Sequence, residues 1–98
     1  MHHDAISRSL LHLLQLRWMA NGRTRQPADA TFREIAACLA VGSVTLIDLL
    51  EELMAAGCID PVYVEHRGAT HIAYRISEIG RHVLLADRMA QRRLRFDA

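Results

Sequence analysis

An α+β, mainly helical fold is predicted for this chain of 98 residues from the order of its parts between Thr31 and Arg81. Two stretches with apolar residues at helical spacing are split by Val41-Gly42-Ser43, and a third stretch alternates in twos on either side of Arg67-Gly68-Ala69. Helix, tight turn, helix and hairpin in that order make a helix-turn-helix followed by a wing. The prediction is a winged helix-turn-helix with a three-helix core, a two-stranded wing hairpin and a C-terminal helix. With 51% apolar side chains the chain supports one modest core, so residues 1–98 are expected to form a single domain.

The first helix is expected over residues 4–20, closed by Asn21-Gly22, a pair that readily takes left-handed dihedrals. Ile6, Leu10, Leu13, Leu14 and Arg17 share one side. Leu11 and Trp18 widen that stripe, and Leu16 and Met19 fall outside it. Such breadth exceeds the needs of one buried face, so part of this helix is expected to meet a partner subunit. Residues 23–27 read as a surface loop ended by Pro27, and residues 28–30 as a short extra strand.

Helix two is placed at residues 31–40, because Thr31-Phe32-Arg33-Glu34 has the Thr-x-x-Glu spacing of a capping box. Phe32, Ile35, Ala36 and Leu39 supply its buried stripe, and Gly42 is expected to relax the chain into the turn. Helix three is expected over residues 43–56 with Ser43 as its N-cap. Leu46, Leu49, Leu50, Leu53 and Met54 form its inner face, and Gly57 forms its end.

The hairpin is expected over residues 59–76, with Val62, Val64, Ile72, Tyr74 and Ile76 all facing the core. That choice pairs Val64 with Ile72 and Val62 with Tyr74, sets Glu65 opposite His71, and centres an odd-length connection on Gly68. The last helix is expected over residues 77–95, capped by Ser77. Its apolar stripe is Ile79, Val83, Ala86 and Ala90, and Arg88, Arg92, Arg93 and Arg95 cluster toward its C-terminal end.

Charge is distributed unevenly although the net is only +1. Residues 1–42 sum to +2, residues 43–65 hold five acids and no arginine, and residues 66–98 sum to +4. A near-neutral total exerts little non-specific pull on DNA, while a basic wing and tail supply a local electrostatic footprint. No apolar run approaches the length of a membrane helix and the start lacks the order of a secretory signal, so a cytoplasmic location and no membrane partner are expected. Cys38 and Cys58 are expected to be small buried hydrophobes in a reducing compartment, not a disulfide.

Catalysis and metal binding find no pattern to rest on. The six histidines and two cysteines form no His-x-x-x-His or Cys-x-x-Cys, and there is no phosphate-cradling glycine loop or nucleophile with an identifiable base. No enzyme activity, catalytic residue, metal or cofactor is expected.

Leu39-Ala40-Val41-Gly42-Ser43, Leu50-x-x-Leu53-x-x-x-Gly57-Cys58-Ile59 and Tyr74-Arg75-Ile76-Ser77-Glu78-Ile79-Gly80-Arg81 resemble the winged-helix transcriptional regulators of the MarR and PadR type, over roughly residues 31–85. The resemblance implies a homodimeric, duplex-DNA-binding regulator whose dimer interface is made by the terminal helices. By position it directs Ser43, Val44, Thr45, Ile47 and Asp48 toward the major groove, and Arg67 at the wing tip toward the minor groove or phosphates. Arg33 is placed in the same DNA-facing set, since a continuous positive band joining Arg67 to the Arg33 side would favour DNA. The departure from the pattern is helix three itself, which exposes Val44, Ile47, Asp48, Glu51 and Glu52 where such regulators commonly carry basic or amide side chains. A protein-interaction module using this apolar and acidic face is the alternative.

Overall fold

The computed structural model describes residues 4–24 and 29–96. It is α+β and mainly helical, in the order α1 (Asp4–Thr24), β1 (Ala30–Thr31), α2 (Phe32–Leu39), α3 (Ser43–Ala55), β2 (Ile59–His66), β3 (Ala69–Ile76) and α4 (Glu78–Phe96). The strands form an antiparallel sheet in the order β1-β3-β2. Leu10, Leu11 and Leu14 of α1, Ile35 of α2, Leu46, Leu49, Leu50 and Leu53 of α3, Ile59 and Ile76 of the hairpin and Leu84 of α4 meet in one core.

The first two helices obey local chemistry in most respects. α1 does not stop at Asn21-Gly22 but continues to Thr24, because the pair's turn tendency is a weak preference that continued backbone hydrogen bonding overrides. Residues 25–28, with most of the expected loop and the start of the expected extra strand, lie outside the described residues. A strand does follow, as the two residues of β1, with Ala30 opposite Tyr74 and Thr31 opposite Ala73. Thr31 then caps α2 in a full capping box: its hydroxyl accepts from the Glu34 amide at 3.2 Å, and the Glu34 carboxylate accepts from the Thr31 amide at 3.2 Å.

The turn between α2 and α3 departs from expectation. Ala40 takes the left-handed conformation, at φ 53°, while Gly42 is extended at φ −69° and acts as the N-cap of α3 without a side-chain bond. Ser43 is therefore the first helical residue and not the cap. Placing the left-handed residue at Ala40 leaves Leu39 and Val41 on either side of it packed against the core. At its other end α3 closes in a Schellman motif: Gly57 sits at φ 75°, its amide bonds to the Met54 carbonyl, and the Cys58 amide bonds to Leu53.

The hairpin register differs by one residue from the expected pairing. Val62 faces Ala73, Val64 faces His71 and Glu65 faces Thr70, so the connection is only Arg67-Gly68. Both turn residues have positive φ, 52° and 76°, as a type I′ turn requires, and this turn matches the right-handed twist of its strands. The shift moves Val62 and Val64 to the face opposite Ile59, Tyr74 and Ile76. There Ala73 is buried between its strand neighbours Thr31 and Val62, and on the other face Ile72, nearer the tip than Tyr74 and Ile76, is left 39% exposed.

α4 is rotated away from its expected stripe. Gly80 and Leu84 are buried, whereas Ile79, Val83, Ala86 and Ala90 are exposed. The rotation is set at the first turn. The Ser77 hydroxyl accepts from the Gly80 amide at 3.0 Å and donates to the Gly57 carbonyl, and the Ser77 amide donates to the Cys58 carbonyl at 2.9 Å. Gly80 thereby lies so near α3's exit that a Cβ on it would stand 2.2 Å from the Cys58 carbonyl oxygen. Cys58 is buried, as expected, but Cys38 is exposed on the outer side of α2.

Gly80→Ala is expected to destabilise the fold by about 2–3 kcal/mol, because the clash outweighs the better helix propensity of alanine. Gly42→Ala, where nothing stands within 4 Å, should change stability by less than about 1 kcal/mol. Urea denaturation of both variants checks this, and equal midpoints would contradict the close approach.

Candidate nucleic-acid interface

The residues assigned from sequence to an interface with DNA fall on three elements. Ser43, Val44, Ile47 and Asp48 are exposed on α3, with Val44 at 75%, while Thr45 is half-buried. Helical spacing places Val44, Ile47, Asp48 and Glu51 on one outward face, opposite the buried Leu46, Leu49, Leu50 and Leu53. Arg67 is exposed at the hairpin tip, where the left-handed turn backbone fixes its starting direction. The His66 side chain is outside the described set.

Arg33 is exposed in the first turn of α2, and the fold brings it to the hairpin. Thr31, Phe32, Arg33, His71 and Ile72 line a shallow hollow of about 380 Å³ beside β3. β1 ends at its pairing with Ala73, so β3 continues past it toward the tip with the hollow on that flank. Sequence reading identified Arg33 and His71 separately and missed that they share one concavity. The signal lay in β1 being too short to cover β3. Phe32, half-buried against the core as expected, and Ile72, expected to face the core but exposed, form its apolar walls.

The position of α2 depends on charge as well as apolar packing. Arg17 of α1 donates to Glu34, forming an ion pair across the two helices. Burial works against the Glu34 carboxylate, but the Thr31 amide and hydroxyl and the Arg17 guanidinium more than offset it and hold the carboxyl below its ordinary value of 4.5. A second ion pair, Arg8 to Asp87 at 3.7 Å, and the Arg81 guanidinium 4.3 Å above the Trp18 ring tie α1 to α4.

A second concavity, about 470 Å³, lies among α1, α3 and α4, with Leu11, Leu53, Ala56, Cys58 and Val83 beneath the Arg8–Asp87 pair and Glu52. Burial pushes the Cys58 thiol up, away from the reactive thiolate. Leu11, which widens the apolar stripe of α1, is 2% exposed and belongs to the core, leaving Leu16, Trp18 and Met19 as the exposed large apolar residues of this helix. Among the described residues no group of three or more His, Cys, Asp or Glu is placed to hold a metal ion, and no helix is long and apolar enough to cross a membrane.

No protein-family model matches this chain, and no curated protein matches it.

Because the folded Glu34 carboxyl titrates below the unfolded one, its contribution is complete above about pH 4.5 and disappears as pH falls through the folded value. Glu34→Gln should therefore lower stability near pH 7, by no more than about 1 kcal/mol for so exposed a pair. The gap to wild type should close in acid. Thermal melts at pH 7 and pH 3 check the sign, and a gap that widens in acid would contradict it.

Proposed function

We propose that this protein is a winged-helix regulator that binds duplex DNA as a homodimer, with α3 in the major groove and the β2–β3 hairpin as the wing. The observation that carries the proposal is the free outward face of α3, directly after the α2 turn and followed in the chain by a hairpin whose type I′ tip presents Arg67. In this reading the Val44 side chain meets a thymine methyl group, Asp48 accepts from a cytosine amino group, and Ser43 and Thr45 contact base edges or phosphate. Arg33 and His71 take phosphate oxygens at the hollow, and Arg67 enters a minor groove or pairs with phosphate.

The dimer in this proposal is built by the terminal helices. Leu16 and Met19 of α1 and Ile79, Val83 and Met89 of α4 are each between 44% and 64% exposed in the isolated chain, an apolar surface suited to a second copy. The activity is one of binding, in the cytoplasm, without cofactor or catalysis.

A second reading has one specific observation in its favour. α3 carries Asp48, Glu51 and Glu52 beside Val44 and Ile47 and no cation, so its approach to phosphates is repulsive and a protein partner suits the same face.

Gel-shift titration at low salt, where the electrostatic contribution is largest, separates the readings. Under the DNA reading wild type shifts duplex DNA. Arg67→Ala weakens binding similarly on all sequences and flattens the salt slope by about one unit. Failure of wild type to shift any duplex at low salt overturns the proposal. Loss of partner capture by Ile47→Asp, with melting unchanged, would then favour the protein reading.

A further inference from the structure

The outward faces of α3 and α4 carry the same spacing with opposite charge. On α3, Val44, Ile47, Asp48 and Glu51 stand at i, i+3, i+4 and i+7, with Glu52 beside them. On α4, Leu85, Arg88, Met89 and Arg92 repeat that spacing. All nine side chains are exposed, with Leu85 at 57% and Met89 at 53%. Residues at these intervals fall on one side of a helix, so each face is a short apolar strip edged by one sign of charge.

Among the described residues these charges have no ion-pair partner: the ion pairs are Arg8–Asp87 and Arg17–Glu34, and none involves Asp48, Glu51, Glu52, Arg88 or Arg92. The α4 face also stands clear of the core: among the described side chains of α4 none after Leu84 is buried, and every residue from Arg88 to Arg92 is exposed. At 19 residues α4 is about 28 Å long, and its turns from Leu85 to Arg92 offer an uncovered face to another molecule.

We infer that the acidic, apolar face of α3 docks the arginine-edged face of α4 of a second copy of this chain. The apolar strips supply burial, and the flanking carboxylates and guanidiniums set register and orientation across the contact. The α4 face used here lies on another side of the helix from the Ile79–Val83–Ala86–Ala90 stripe, so the contact coexists with a dimer seam built on that stripe and excludes one that also buries Met89. It covers the α3 residues assigned to base contact, and only this consequence rests on the DNA reading: self-docking and duplex binding exclude one another. The contact is salt-sensitive because its charges are exposed in the free chain.

A charge exchange tests the contact directly. One variant carries Glu51→Arg with Glu52→Arg, the other Arg88→Glu with Arg92→Glu, and both are first checked by circular dichroism and thermal melting. In sedimentation at low ionic strength wild type is expected to self-associate with an affinity that falls with added salt. Each variant alone, whose every self-contact is like-charged, is expected to lose about tenfold or more. An equimolar mixture restores opposite charges at every cross-contact, and association should return to within about threefold of wild type. Absence of salt-sensitive association in wild type, variants that associate as wild type does, or a mixture of folded variants that fails to recover would each overturn the inference. Gel shifts on wild type are read separately. Charge-exchange recovery without DNA binding retains the docking contact and removes the regulator reading, and DNA binding without recovery does the reverse.

Discussion

The approach of α4's first turn to the exit of α3 is the constraint on which the rest of the structure depends. Ser77 spends its hydroxyl on the Gly57 carbonyl and the Gly80 amide, and its own amide on the Cys58 carbonyl. Only glycine fits at position 80, since a Cβ there would meet the Cys58 carbonyl oxygen at 2.2 Å. This knot closes the base of the hairpin, where Ile59 pairs with Ile76, while the Arg67-Gly68 turn closes its tip. With both ends fixed, one register remains. The direction of α4 and the set of apolar side chains it leaves outside follow from the same few atoms.

Around that knot the helices are oriented by apolar burial and trimmed by charge. The leucines of α1 and α3 make up half of the buried core residues, and hydrophobic transfer dominates the energy of such a core. The Arg17–Glu34 and Arg8–Asp87 pairs and the Arg81–Trp18 contact lie at or near the surface, where each contributes at most about 1 kcal/mol. Their value is positional. They hold α2 and α4 against α1, and through α2 they place Arg33 beside His71 at the hollow on the hairpin's flank.

The same arrangement explains why α3 supports two readings at once. Its inner face is committed to the core by four leucines, so whatever it recognises must be met by Val44, Ile47, Asp48, Glu51 and Glu52. Methyl groups and carboxylates on a helix can read thymine and cytosine edges, yet the carboxylates repel the backbone that carries those bases. In the proposed DNA reading the cations that would offset this repulsion come from other elements, Arg33 on α2 and Arg67 at the tip. Under that reading affinity for the polyanion would be divided among elements, and the apolar and acidic α3 face also suits a protein partner.

Local chemistry was legible without coordinates wherever the interaction spans a few residues. The capping box at Thr31 and Glu34, the glycine end of α3, the cap at Ser77 and the inner and outer faces of α3 are set by spacing within one turn of helix, which periodicity reads directly. The hairpin register and the rotation of α4 were misread for a common reason. Alternation in residues 59–76 fits two pairings that differ by one residue, and the apolar stripe Ile79–Val83–Ala86–Ala90 is a genuine stripe that faces outward. What decided both was contact between segments twenty residues apart, Gly57-Cys58 against Ser77-Gly80. The sequence by itself determined the order of the helices, the caps at Thr31 and Ser77, the glycine end of α3 and which face of α3 is free, while the N-cap of α3 and the end of α1 fell elsewhere than expected. Tertiary structure alone decided which strand residues face the core, which side of α4 is left uncovered and that Arg33 and His71 share one hollow, because steric exclusion between distant backbones leaves no periodic trace in the chain.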